Sequence, residues 1–310
     1  MKKKILALMM AAALVVSMTA CSSGSDSSDA EETTSEETAS DETSEAADES
    51  EESEEASASF TTVTDGVLTV ATSPDFAPYE FYAIDDDGNV TLAGFDVALA
   101  GYIADYLGLE LEMVTVDFDG VLSELQTGSV DLGMAGLSPS EEREEIMDFT
   151  DIYYTSAQAL VTVSDKADQI TSLEDVNSSD ITVAAQTGSI QIGLMEEYSP
   201  EADQISLPKV TDIITELLTG KIDAAYVEMA VAESYQSNYE ELVIVCEVPY
   251  DTEGAAVGVN KNDDGLLEAV NEAINAALED GSFDDFVAEA NELASGDTYE
   301  GLLDEEGNTQ

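Results

Sequence analysis

Two stretches of this chain share one design, and that repetition constrains the fold more than any other feature. Residues 119–131 read Asp-Gly-Val-Leu-Ser-Glu-Leu-Gln-Thr-Gly-Ser-Val-Asp, and residues 211–223 read Thr-Asp-Ile-Ile-Thr-Glu-Leu-Leu-Thr-Gly-Lys-Ile-Asp. Val121, Leu122 and Leu125 in the first, and Ile213, Ile214 and Leu217 in the second, fall on one face of a helix. Gly128 and Gly220 stand where such helices stop. A strand is predicted after each, over 130–135 and 222–227. A second correspondence joins Leu68-Thr69-Val70-Ala71 to Ile181-Thr182-Val183-Ala184, both strand-like. The two offsets, 92 and 113 residues, differ by 21, which fits an extra hairpin in the first unit turning around Asp86-Asp87-Gly88-Asn89. Leu99, Ile103, Tyr106 and Leu107, ending at Gly108, predict a further helix, and Leu109, Leu111 and Met113 an alternating strand. The chain therefore reads as an α/β protein of two related units. Parallel sheets of this kind bind small molecules beyond the carboxyl ends of their strands. Carried to those ends, the repeat pairs Gly136 with Glu228, and it sets Gly188-Ser189 at a helix start after the strand over 181–185.

The chain has one arginine, Arg143, at the end of such a segment: Gly136-Leu137-Ser138-Pro139-Ser140-Glu141-Glu142-Arg143. Ser138 is expected as a helix N-cap, with Pro139 opening the helix and Glu141 three residues on. A guanidinium grips a carboxylate through two parallel hydrogen bonds, and a helix N-terminus offers N–H donors to the same anion. These residues describe a receptor for a small carboxylate. The surrounding Glu141, Glu142, Glu144 and Glu145 fit a solvated ion pair equally well.

Charge and composition narrow the class. From Asp65 on there are 54 acidic residues against 5 basic ones, so nothing is available to neutralise phosphates, and nucleic acid is excluded as a partner. Histidine is absent, which removes histidine-based triads and the usual zinc sites; no cofactor and no metal are expected. Met1-Lys2-Lys3-Lys4 and the apolar run to Ala20 read as a signal peptide over 1–21. Ser17-Met18-Thr19-Ala20-Cys21 resembles a bacterial lipobox, with Met18 in place of the usual leucine, and implies a lipid on Cys21. Residues 22–64 contain 15 acidic residues and no basic one, and form a self-repelling tether. Cys246, the only other cysteine, lies in the apolar run Leu242-Val243-Ile244-Val245 and is expected as a core thiol.

From about Gly66 onward the chain resembles the polar amino-acid substrate-binding proteins of ABC importers. The resemblance rests on 71–81 (Ala-Thr-Ser-Pro-Asp-Phe-Ala-Pro-Tyr-Glu-Phe), Gly94-Phe95-Asp96, Asp117-Phe118-Asp119-Gly120, the Arg143 segment, 148–154, Gln186-Thr187-Gly188-Ser189 and 220–225, in that order. It implies a type II periplasmic-binding fold, with two Rossmann-like lobes joined by two hinge strands. The first lobe is expected from 65–160 plus 250–310 and the second from 161–249. The crossings are placed near 157–163 and 248–256, and helices over 266–278 and 282–293 return to the first lobe. It further implies that Arg143 holds a ligand α-carboxylate, with Gly136, Ser138 and Ser189 adding donors. Glu228 receives the α-ammonium, although aspartate is commoner there. Phe76 and Phe118 sandwich the side chain. Ser73 stands where binders of basic amino acids often place an aspartate, so a neutral polar ligand such as glutamine is expected, with Gln186 bonding its side chain. Asp75 nearby weakens that argument. Gln191 is expected at the lobe interface. The implied role is capture of an L-amino acid and delivery to a membrane-embedded ABC permease, by a monomer lipid-anchored to the outer face of the cytoplasmic membrane. The alternative is a cyclohexadienyl dehydratase on the same fold, for which the lipobox and tether have no use.

If Cys21 carries the anchor, metabolic labelling with a lipid precursor marks the wild-type protein and not Cys21→Ser. Equal labelling of the two removes the anchor from the account.

Overall fold

The computed structural model describes residues 60–84, 89–250 and 254–295. The signal segment, Cys21, most of the tether and the hairpin tip Asp86-Asp87-Gly88 lie outside the described residues. The first lobe opens with β1 (Val67–Thr72), the short β2 (Asp75–Phe76), β3 (Glu80–Ile84) and β4 (Val90–Ala93). Then come α1 (Phe95–Leu107), β5 (Glu110–Thr115), α2 (Phe118–Thr127), β6 (Leu132–Gly133), α3 (Glu141–Glu144) and β7 (Met147–Phe149). The second lobe contains β8 (Gln158–Val163), α4 (Leu173–Val176), β9 (Thr182–Gln186), α5 (Ile190–Tyr198), β10 (Asp203–Leu207), α6 (Val210–Leu218), β11 (Ala224–Glu228), α7 (Met229–Asn238) and β12 (Leu242–Val248). The chain returns through β13 (Gly258–Asn260), α8 (Asp264–Asp280) and α9 (Ser282–Ala294).

The repeat is visible in the sheets. One has the order β5-β1-β6-β13-β7 and the other β10-β9-β11-β8-β12. In each, the first three strands are parallel, and the fourth is antiparallel to its neighbours and arrives from the other lobe. This exchange of strands joins the lobes twice. Since β8 lies wholly in the second sheet, the first passage precedes Gln158, ahead of the expected segment over 157–163 and of the boundary at 160. The two passages run side by side: Tyr153 N donates to Ala255 O at 3.0 Å and Ala255 N to Tyr154 O at 2.8 Å. The hairpin expected in the first unit is β3 against β4.

Repeat-matched residues do the same work in both lobes. α2 buries Val121 and Leu125, and α6 buries Ile213, Ile214 and Leu217. Gly128 ends α2 in the left-handed region at φ 66°, with its N–H on Glu124 O and Leu125 O. Gly220, at φ 72°, follows α6. The strands after them are displaced from expectation: β6 spans two residues rather than six, and β11 starts at Ala224. The delay has a cause in Asp131 and Asp223, the last residues of the matched stretches. Buried Asp131 accepts from Thr69 N at 2.8 Å and Val63 N at 2.7 Å, while its own N–H donates to Thr69 O at 2.9 Å. Asp223 accepts from Thr182 N at 2.6 Å and donates to Thr182 O at 2.8 Å, and it also holds the Lys166 ammonium. Thr69 and Thr182 are themselves matched by the repeat. In each lobe one aspartate thus pins the start of the central strand before the sheet ladder begins.

α8 and α9 pack on α1, returning the chain to the first lobe as expected. At the junction Tyr79, Phe95, Tyr154 and Phe283 form a continuous aromatic cluster, with ring centroids 4.4 Å apart for Tyr79–Phe95 and 4.9 Å for Phe95–Tyr154. Cys246 is half-buried rather than in the core.

Removing the strand pins tests this reading. Asp131→Ala leaves two backbone donors without a partner and is expected to cost about 1–3 kcal/mol in urea denaturation. Asp223→Ala, in a less buried setting, is expected to cost less. Equal and negligible losses would discount the pins.

Candidate functional site

The site is built where the carboxyl ends of β1, β6, β9 and β11 face the junction of the lobes. Arg143 lies in α3, a single turn capped by Ser140, whose Oγ accepts from Arg143 N at 3.3 Å. Ser138 is therefore not the N-cap: the helix begins two residues later than expected, after Pro139. Ser138 serves instead through its carbonyl, which accepts from Arg143 Nη1 at 2.8 Å. Nη2 reaches across to Gly188 O in the second lobe, at 3.2 Å. The guanidinium sits 5.4 Å from the centroid of the Phe118 ring, within cation–π range. Arg143 is 6 % exposed. Its ion-pair reading fails, because the ion pairs among the described residues are Lys166–Asp223, Lys221–Glu216 and Lys261–Asp148. Burial lowers its pKa to about 10, against smaller opposing effects of Tyr250 and Glu142.

Acidic groups are buried on both sides of the junction. Glu228 ends β11 and caps α7, its Oε2 accepting from Val231 N at 2.9 Å and its Oε1 from Tyr79 OH of the first lobe at 3.2 Å. It is buried, not a solvated strand end, and burial raises its pKa against hydrogen bonds that lower it. Asp96, in the first turn of α1, accepts from Tyr153 OH at 2.7 Å and from Gly136 N at 3.0 Å. Gly136 itself has φ 55°, and a Cβ there would lie 2.8 Å from the Phe76 ring, so the turn before Ser138 admits no side chain. Glu80, on β3, is fully buried, and neither of its carboxylate oxygens has a hydrogen-bond partner. Burial, then the charges of Asp96 and Asp75, hold its carboxyl well above the usual range.

The structure thus brings Arg143, Ser138, Gly136 and Phe118 together on the first-lobe side, with Phe76 against Gly136 and Tyr79. Glu228 and Gly188-Ser189 face them from the second lobe. Ser189 occupies the N-cap position of α5, but its Oγ donates to Gln186 O at 2.7 Å. Ser73 and Gln186 are engaged with Asp75: Ser73 Oγ donates to Asp75 Oδ1 at 2.9 Å and Gln186 Nε2 to Asp75 Oδ2 at 3.2 Å. Gln191 pairs with Gln158 within the second lobe, at 2.7 Å. Beside Arg143 a groove of about 860 Å³ runs between α3 and α5 to Tyr250. Phe76, Gln186 and Glu228 do not line it, so the convergent polar groups rather than this groove define the site. Sequence reading passed over the buried carboxylates Glu80 and Asp96. The signal was a carboxylate inside an apolar run, in Tyr79-Glu80-Phe81 and Phe95-Asp96-Val97. Among the described residues no cluster has the makings of a metal site.

The sequence pattern of the bacterial extracellular solute-binding proteins, family 3, matches residues 68–289. The chain belongs to that family. An arginine-binding extracellular protein of Bacillus subtilis, ArtP, is 31% identical over 221 residues, covering 70% of this chain and 83% of that protein. The crystal structure of an amino acid ABC transporter substrate-binding protein from Streptococcus pneumoniae, bound to L-arginine, superposes with a TM-score of 0.71 at 34% identity, over 74% of this chain and 97% of that one. An ancestral arginine-binding protein bound to glutamine gives 0.66 at 33%, over 73% and 98%. Membership makes this an extracytoplasmic amino-acid-binding protein with the type II periplasmic-binding fold. Its relatives are named as binding proteins, consistent with a non-enzymatic transport role rather than with the dehydratase alternative.

The buried acids set a pH dependence. Burial raises Asp96, and likewise Asp75, from 3.8 to about 6, against the hydrogen bonds each accepts. The native state therefore holds their protons more tightly than the unfolded chain. The stability from this proton uptake is complete below about pH 3.8 and is lost as pH rises through about 6. For the ligand-free protein, thermal unfolding is expected at a higher temperature at pH 5 than at pH 7. Asp96→Asn, which preserves shape, should flatten the difference; an unchanged pH profile in that variant would remove Asp96 as a contributor.

Proposed function

We infer that this protein captures an L-amino acid with a cationic side chain, arginine foremost, and delivers it as a monomer to a membrane-embedded ABC permease while anchored through Cys21. The observation that carries the ligand class is Glu80. Burial and the neighbouring acids hold its carboxyl protonated in the ligand-free protein, and a cation brought against it would let it ionise and pair. A guanidinium offers five donors in a planar fork that suits a carboxylate. The neutral-ligand expectation rested on uncharged Ser73. That hydroxyl is spent on Asp75, so Ser73 says little about ligand charge. The arginine-binding relatives support the same reading.

At the other end of the ligand, Arg143 is the partner for the α-carboxylate, with donors from the Gly136–Ser138 turn and Ser189. Glu228 takes the α-ammonium, and Phe76 and Phe118 flank the aliphatic stem. Closing two lobes over a zwitterion with a third charge gives each buried ion its counterion, so the ligand adds to the stability of the closed state.

Calorimetry across the L-amino acids should rank arginine above glutamine, and the reverse order would restore the neutral reading. Arg143→Ala should cost about 2–5 kcal/mol of binding, the range for truncating one partner of a buried pair. Glu80→Gln should weaken arginine while sparing glutamine. Glu228→Gln should weaken arginine far more than its des-amino analogue, since the two ligands share every other contact. Equal losses for both would send the ammonium elsewhere.

A further inference from the structure

Asp75 has contacts that ligand binding does not account for. It sits on β2 in the first lobe, yet three elements of the second lobe converge on it. Its Oδ2 accepts from the backbone N–H of Val210, the first residue of α6, and from Gln186 Nε2 at the end of β9. Its carbonyl oxygen accepts from Tyr235 OH on α7 at 3.2 Å. Oδ1 is taken by Ser73 Oγ. Gln186 is oriented in turn by Pro208 O, at 3.2 Å, just ahead of α6. Val210 and Tyr235 are themselves buried. The carboxylate thus meets a helix N-terminus end-on, where free N–H groups and the helix dipole favour a negative charge. α6 has no cap of its own, because Lys209, at the N-cap position, makes no side-chain cap bond. A residue of the opposite lobe does the capping.

We propose that Asp75 is an interlobe latch: it caps α6 across the cleft and, through Gln186 and Tyr235, fixes the closed arrangement of the lobes independently of the ligand. Opening the lobes would strip α6 of its cap and return the Val210 N–H to water, so the state of the lobes is written on one backbone amide. Asp75 is a positioning residue in this scheme. Its effect on any ligand passes through the lobes rather than through contact. The same geometry accounts for Gln186, whose amide nitrogen is committed to the latch.

Hydrogen exchange on protein dialysed free of small molecules tests this without reference to ligand identity, so its failure is separable from that of the arginine reading. The Val210 amide is compared with that of Val183, deep in the second sheet on β9. Asp75→Ala is expected to speed exchange at Val210 by at least about tenfold while leaving Val183 unchanged, because a lost cap opens locally and the core does not. Asp75→Asn keeps an acceptor for the Val210 N–H and should restore most of the protection. Should the alanine variant not fold, Tyr235→Phe removes one strand of the latch with little change in volume, and a selective rise at Val210 is again expected. Equal acceleration at Val210 and Val183, no acceleration, or an unprotected Val210 in the wild-type protein would each overturn the latch.

Discussion

A buried positive charge without a carboxylate beside it governs this structure. Arg143 keeps its guanidinium out of water on two carbonyl oxygens and one aromatic face. Carbonyl dipoles and a ring quadrupole offset part of the desolvation cost but do not neutralise the charge. An imbalance of the opposite sign lies elsewhere around the junction: Glu80 and Asp96 in the first lobe and Glu228 in the second are buried with no ammonium or guanidinium in ion-pair contact among the described residues. On the proposed reading, a ligand with a carboxylate at one end and cations at the other resolves both at once. The arrangement of the lobes and the chemistry of the site are, on this view, one electrostatic problem.

The scaffold that holds these charges apart is built twice by the same device. Asp131 and Asp223, each just ahead of the middle strand of its sheet, tie the starts of β6 and β11 to the neighbouring β1 and β9 through Thr69 and Thr182. Strand exchange then ties the lobes together, since β8 and β13 each complete a sheet in the lobe they enter. The aromatic cluster around Tyr79, Phe95 and Tyr154 fills the space beside the passages. Tyr79 links that cluster to the site through its hydroxyl on Glu228.

The fold was largely legible in the chain because its evidence is local and repeated. Helix faces at Val121/Leu125 and Ile213/Leu217, glycine stops and strand alternation depend on neighbours a few residues away. Arg143 stood out as the lone arginine. Less legible were contacts that owe nothing to sequence proximity. Ser138 carried every local mark of an N-cap, yet Ser140 took the role, because the Gly136 turn is held by Asp96, forty residues earlier. Gln186 and Ser73 read as ligand contacts, and the structure spends both on Asp75.

By itself the sequence determined the α/β class, the twofold repeat, the sign of the charge at Arg143 and the absence of histidine, since each follows from residue type and spacing. Only the tertiary structure decided which carboxylates are taken out of water. Glu80 and Asp96 lie in apolar runs that locally look like ordinary core. Their meaning comes from burial and from partners such as Gly136 N and Tyr153 OH on Asp96, and neither exists until residues distant in sequence are brought together.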